Sequence, residues 1–160
     1  ADPREGGPDG AEIEFRTADA RDLSDFDTDA FDIAHSNSVI EHVGGYADMK
    51  RFANEVRRVG KAYYVQTPYY WFPVDPHYGA PFVHWLPVSL RLKLITAVGV
   101  GFKERFETVE AGMSYIEFVN LIDKKIGASL FPDASVEWER LLFWPKSLLL
   151  IGPKDRTDAT

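Results

Sequence analysis

Apolar and polar positions alternate with a period of two from Ala11, where Ile13, Phe15 and Thr17 fall on one side of an extended segment and Glu12, Glu14 and Arg16 on the other. Such alternation predicts a strand with one wet face. It dissolves in ADARDLSDFDTDAF, where five acidic side chains and a Ser predict a loop. FDIAHS, from Phe31, predicts a second strand. In ADMKRFANEVRRVG the period changes to that of a helix, with Met49, Phe52, Val56 and Val59 on one face, Asp48 placed to cap the start and Gly60 the end. Lys50, Arg51, Arg57 and Arg58 then face water, and the basic last turn suits the helix dipole without any nucleic acid. KAYYVQTP, aromatic and β-branched and ending at Pro68, predicts a third strand. Strand, helix and strand with short links make a βαβ unit of a parallel sheet.

The pattern then loses its period. Residues 69–87 hold seven aromatic side chains among prolines, too irregular for an element and too apolar for a solvated loop, and predict a lid folded over the sheet. Two helices follow: Ser89 to Val98, with Leu90, Leu94, Ile95 and Val98 inward, and Ser114 to Ile126, opened by the capping box Ser114-x-x-Glu117 and closed by Gly127. ASVEWERLLFW and KSLLLIGP, parted by Pro145 and its neighbours, can only pair antiparallel. The fold class expected is α/β, a Rossmann-like, mostly parallel sheet with a C-terminal antiparallel hairpin. Residues 1–10 read as a linker or disordered end, 11–152 as the domain and 153–160 as a tail.

Composition bounds the function more than it names it. A chain of 160 residues, 45% hydrophobic and 27% charged, can bury one sizeable core. A net charge of −7 weighs against a dedicated DNA binder, whose affinity rests on concentrated positive charge. Without Cys there is no thiolate nucleophile or thiolate metal site. No apolar run approaches the length of a membrane span, and a cytoplasmic setting is expected.

In open α/β sheets, ligands sit outside the carboxyl ends of the strands. Three loops leave such ends: Asp19 to Asp22, Ser36 to His42, and Gln66 to Pro68, all rich in hydrogen-bonding groups. The stretches ADARDL, FDIAHSNSVIEHV, EVRRVGKAYYVQTP, FPVDPH and FPDASVEWERLLFWPKSLLLIG together resemble the later two-thirds of a class I S-adenosylmethionine-dependent methyltransferase, of the type acting on small molecules, lipids or sugars. The resemblance implies that Asp19 accepts from the adenine amino group beside Ala20, and that Ser36, Asn37 and Ser38 line the methionine and ribose side. It implies Glu41 and His42 as the catalytic pair facing the acceptor, with Tyr69, Trp71 and His77 as acceptor walls. No metal is expected, because Ser38 stands where metal-holding relatives carry the first acidic residue of Glu-x-x-Glu-His. His35 reads as a satisfied core histidine, and Phe72, Phe82 and Trp85 as a secondary core.

The sequence departs from that family at its start. REGGPDG has glycines but neither the preceding strand nor the following helix of a cofactor-binding glycine turn, so the N-terminal βαβ part is expected to be absent. The strand FDIAHS would then expose an edge, which predicts a homodimer through that edge or poor solubility. The rival to an enzyme is a non-catalytic methyltransferase-like binding domain or an inactive fragment.

Overall fold

FDIAHS and KAYYVQTP form strands as expected, and the amphipathic run between them forms the helix. β1 spans Phe31–Asn37, α1 Tyr46–Val59 and β2 Gly60–Pro68. This computed structural model describes residues 13–101 and 104–154. The expected linker at 1–10, the first two residues of the first predicted strand and residues 155–160 of the expected tail lie outside the described residues. α1 buries Met49, Phe52, Ala53, Val56 and Val59, the predicted stripe with Ala53 added. Its start is not capped by Asp48: Gly45 holds the N-cap position, and the Asp48 carboxylate pairs with Arg51 instead.

Gly60 does end the helix, but not by a left-handed turn. Its backbone is already extended, with φ −103° and ψ 130°, and runs straight into β2. The reason for glycine is space, since a Cβ here would lie 2.7 Å from Ala34 Cβ and 2.6 Å from the Ala62 carbonyl oxygen. Helix and parallel strand pair are therefore joined with no linker at all.

β1 and β2 pair in parallel, from Phe31 opposite Gly60 to Asn37 opposite Gln66. β5, Ser135–Leu141, and β6, Trp144–Gly152, form the predicted antiparallel hairpin, and β6 enters between β2 and β5 to give the order β1-β2-β6-β5. The hairpin turns at Leu142 and Phe143, with Leu142 in the left-handed region at φ 57°, whereas Pro145 lies inside β6 beside a register shift opposite Glu139 and Arg140. Of the three pairings only β1 with β2 is parallel, so the sheet is mixed rather than mostly parallel. Part of the difference lies at residues 13–17, which pair with no strand among the described residues; Phe15 is 67% exposed, too little covered to hold an extended segment to the sheet.

The main core lies between the sheet and two helices, α1 and α4, Lys124–Leu130, and centres on Ile40, Phe52, Val65, Phe131, Leu148 and Leu150. A second, smaller cluster of Tyr78, Val83, Ile95, Val100 and Ile116 holds the segment between β2 and α4. That segment contains a two-residue hairpin, β3 at Val74–Asp75 and β4 at Ala80–Pro81, then α2 at Val88–Ala97 and α3 at Val109–Phe118. α2 buries Ile95 as expected, but Leu90 and Val98 are exposed.

The single helix expected over 114–126 is two. Thr108 caps α3 by accepting from the Ala111 amide at 3.1 Å, and Asp123 caps α4 by accepting from the Ile126 amide at 2.9 Å. Between them the chain is extended, because its backbone is claimed elsewhere: the Asn120 amide donates to the Glu41 carbonyl and the Ile122 carbonyl accepts from the Tyr70 amide. Ser114 is thus interior to α3, and Gly127 is interior to α4, packed against Leu150 and Leu148. No helix among the described residues is long and apolar enough to cross a membrane.

Candidate active site

Ser38 turns β1 out of the sheet. Its backbone is left-handed, at φ 54°, and its amide donates to the Gln66 carbonyl at 2.9 Å, tying the end of β1 to the end of β2. The chain then winds one short 3-10 turn, Ile40–His42, which sends consecutive side chains to different places. Glu41 goes inward and is 0% exposed; its Oε2 accepts from the Thr67 hydroxyl at 2.9 Å, while Oε1 has no hydrogen-bond partner among the described residues. His42 stays at the surface of the core, stacked on the Phe118 ring with centroids 4.4 Å apart.

Two histidines meet here. His42 Nδ1 lies 3.1 Å from the Phe118 carbonyl oxygen, and its Nε2 lies 3.1 Å from Nε2 of His77, from the turn between β3 and β4. His77 is fixed on its other side by Asp75, whose Oδ1 is 2.7 Å from Nδ1 and also accepts from the His77 amide. The Tyr115 hydroxyl donates to the His77 carbonyl, and burial raises that phenol to about 12, which keeps it a donor. The structure therefore joins Glu41, His42 and His77, from two separate regions of the sequence, into one cluster.

Two hollows flank the end of β1. One is a cavity of about 460 Å³ lined by Asn37, Ser38, Gln66, Tyr69, Phe72 and Asp75. The other is a groove of about 320 Å³ along the outer side of β1 and α1, lined by Ala20, Ser36, Asn37, Val39 and Phe52. Asn37 lines both. The Ser36 hydroxyl is buried in its groove with no partner among the described residues, the kind of group that a bound polar molecule satisfies.

Other expected residues are placed differently. Asp19 is gripped by its neighbour: the Arg21 guanidinium donates to both carboxylate oxygens, at 2.9 and 2.7 Å, and the Arg21 amide adds a third bond at 2.9 Å. These bonds hold its carboxyl down at about 2. Trp71 is 55% exposed, meets Tyr70 edge-to-face and Trp85 at a tilt, and lines neither hollow. His35 is an exposed residue stacked on Tyr64, not a core histidine. Phe72 walls the larger cavity, and Phe82 is exposed, so only Trp85, whose indole N–H donates to the Tyr70 carbonyl, resembles the secondary core expected.

Thr67, Asp75, Phe118 and Tyr115 were not singled out by the pattern, yet each fixes a member of the cluster. Asp75 alone carried a signal, an acid two residues before His77 in a proline turn. Glu139 was missed as well: it gathers the Ser147 hydroxyl at 2.6 Å, the Gln66 amide at 2.9 Å and Lys146 at 3.2 Å beside the larger cavity. Those donors depress its carboxyl, the Ser147 hydroxyl most.

Among protein families, residues 2–62, less than half of the chain, match the methyltransferase domain family. The matched stretch includes all of β1, α1, Glu41, His42 and the start of β2, so the methyltransferase match and the site geometry overlap at the residues that matter. A solved SAM-dependent methyltransferase from Methanosarcina mazei is similar at 17% identity with a TM-score of 0.49, covering 91% of this chain and 71% of that one. No curated protein matches the chain.

Proposed function

We propose that this chain takes part in methyl transfer from S-adenosylmethionine to a small-molecule, lipid or sugar acceptor. The observation that carries the reading is the position of Asn37, the last residue of β1, in the wall of both hollows. A cofactor on one side and an acceptor on the other would meet at that residue, and such proximity supplies much of the rate in a displacement at a methyl carbon.

The residues present fit the cofactor in part. Ser36, Asn37 and Ala20 border the groove, and the orphan Ser36 hydroxyl offers a hydrogen bond to a ligand there. Asp19 would receive the adenine amino group only by giving up bonds to Arg21. The acceptor cavity has Tyr69 and Phe72 as apolar walls and Gln66 and Ser38 as polar groups, a mix suited to an acceptor with a ring or chain and a few hydroxyls. In this reading His77 and His42 orient the acceptor from beside Asp75, while Glu41, without exposure, acts as a positioning residue.

Titration of the chain with S-adenosylhomocysteine, followed by amide resonances, tests the reading. Shifts at Ala20, Ser36, Asn37 and Val39, lost in Ser36→Val, are expected. Binding that moved the α2 and α3 resonances while leaving these unmoved, or no binding by a folded chain, would leave the non-catalytic domain as the better account.

A further inference from the structure

The histidine pair poses a problem of protons. The Phe118 carbonyl can only accept, so Nδ1 of His42 must carry a hydrogen. The Asp75 carboxylate likewise takes a hydrogen from Nδ1 of His77. A neutral imidazole has one N–H, so both Nε2 atoms present lone pairs, and they face each other at 3.1 Å. A cation shared by the two rings would suit that arrangement.

A third electron-rich atom points the same way. Glu41 Oε1, buried and without a hydrogen-bond partner among the described residues, is 3.9 Å from His42 Nε2. One atom each from Glu41, His42 and His77 lies within 4.8 Å of the others. A buried carboxylate oxygen left bare costs stability unless it meets a cation.

We propose that Glu41 Oε1, His42 Nε2 and His77 Nε2 bind one divalent transition-metal ion, zinc being the best fit. Ligand bonds of about 2.0–2.2 Å to a tetrahedral ion put neighbouring ligand atoms about 3.3–3.5 Å apart. The observed 3.1 and 3.9 Å bracket that separation, so small side-chain movements close the site. Imidazole ligands favour zinc and its neighbours, whereas magnesium prefers an all-oxygen octahedron. Asp75 on Nδ1 of His77 and the Phe118 carbonyl on Nδ1 of His42 are the outer partners that fix the tautomer of a metal-binding histidine. Three protein ligands leave a fourth position for water or an acceptor oxygen, and Asp75 already lines the larger cavity.

The site stands on these side chains alone and is tested without cofactor or turnover. Untagged chain, stripped with chelator, is titrated with zinc by calorimetry and with cobalt by visible absorption. One equivalent bound, with the intense d–d bands of a tetrahedral cobalt site, is expected. His77→Ala and Glu41→Gln should abolish stoichiometric binding, Asp75→Asn should weaken it by about 10–100-fold, and His35→Ala should leave it unchanged. Glu41→Gln keeps the side-chain volume and the Thr67 contact, so its circular dichroism guards against a folding artefact. No stoichiometric binding by the folded wild-type chain, or binding that survives both ligand substitutions, overturns the proposal. Imidazole nitrogen resonances that show a shared proton and do not change on zinc addition overturn it too.

Discussion

The sheet layer and the segment folded over its end are built to different standards. Among the described residues, the first packs thirteen buried residues, mostly from strands and helices whose patterns agree; the second gathers five, from turns and helices with large exposed apolar side chains. What the second region has instead is polar fastening: Asp75, Tyr115, Trp85 and the 119–122 backbone each make hydrogen bonds to a particular partner. The difference teaches that the lid is positioned more by a few directed contacts than by buried area, and can be loosened without unfolding the sheet.

The largest effect should separate the two regions outright. Phe52→Ala, in the main core, is expected to cost about 3–5 kcal/mol, read as a lower urea midpoint for the whole chain. Ile116→Ala, in the small cluster, should instead raise amide exchange in α2 and α3 while the sheet amides stay protected. Equal loss of protection in both regions would merge them into one cooperative unit.

A smaller effect is expected where the regions touch. Thr67→Val would leave both oxygens of the buried Glu41 without a protein donor, a loss of about 1–3 kcal/mol by denaturant titration. Bound zinc should recover part of that loss if the cation proposed above meets the same carboxylate. Next comes the lid itself: Thr108→Ala removes the α3 cap and should cost about 0.5–2 kcal/mol locally, seen as faster exchange at the Ala111 and Gly112 amides with no change at β6.

The smallest effect is electrostatic and lies on the surface of the sheet layer. The Asp19 carboxyl is held below its ordinary value, at about 2, by the Arg21 guanidinium and amide. A depressed acid stabilises the folded chain above its unfolded value and loses that contribution as pH falls toward 2. In a carbon-detected pH titration Arg21→Gln should return Asp19 toward about 3.9, with a smaller rise at Asp48, which Arg21 also faces at 3.8 Å, and none at Asp32. An unchanged midpoint would break the assignment of Arg21 as the cause.

What the sequence disclosed follows the same division. β1, α1, β2 and the closing hairpin were readable from residue type and spacing, and α1, β2 and β6 bury one face against one core. The lid was readable only as an irregular aromatic stretch. Beyond it, α2 lies within a residue of its expected place, but the helix expected over 114–126 was misplaced because Val119 and Ile122 continue the helical spacing of α3, yet the backbone there is extended by bonds to Glu41 and Tyr70, which no local pattern encodes. The 13–17 alternation failed for the converse reason, a strand pattern with no neighbouring strand to receive it among the described residues. At the site, Glu41 and His42 were visible as polar residues in a strand-end loop and His77 as a wall of the lid. Their convergence was not, since it depends on the β3–β4 turn bringing His77 onto His42 and on Phe118 reaching His42 from α3.

The placement of β6 carries a consequence for how the chain comes to be folded. It is the last strand among the described residues and yet an interior one, with Leu148 and Leu150 fully covered between β2 and β5. A chain emerging from the ribosome would form β1, α1 and β2 early, then wait some eighty residues, the separation of Pro68 from Ser147, before the sheet could close. Pairings so distant along the chain close slowly, and in the interval β2 offers its free edge to whatever strand is nearby.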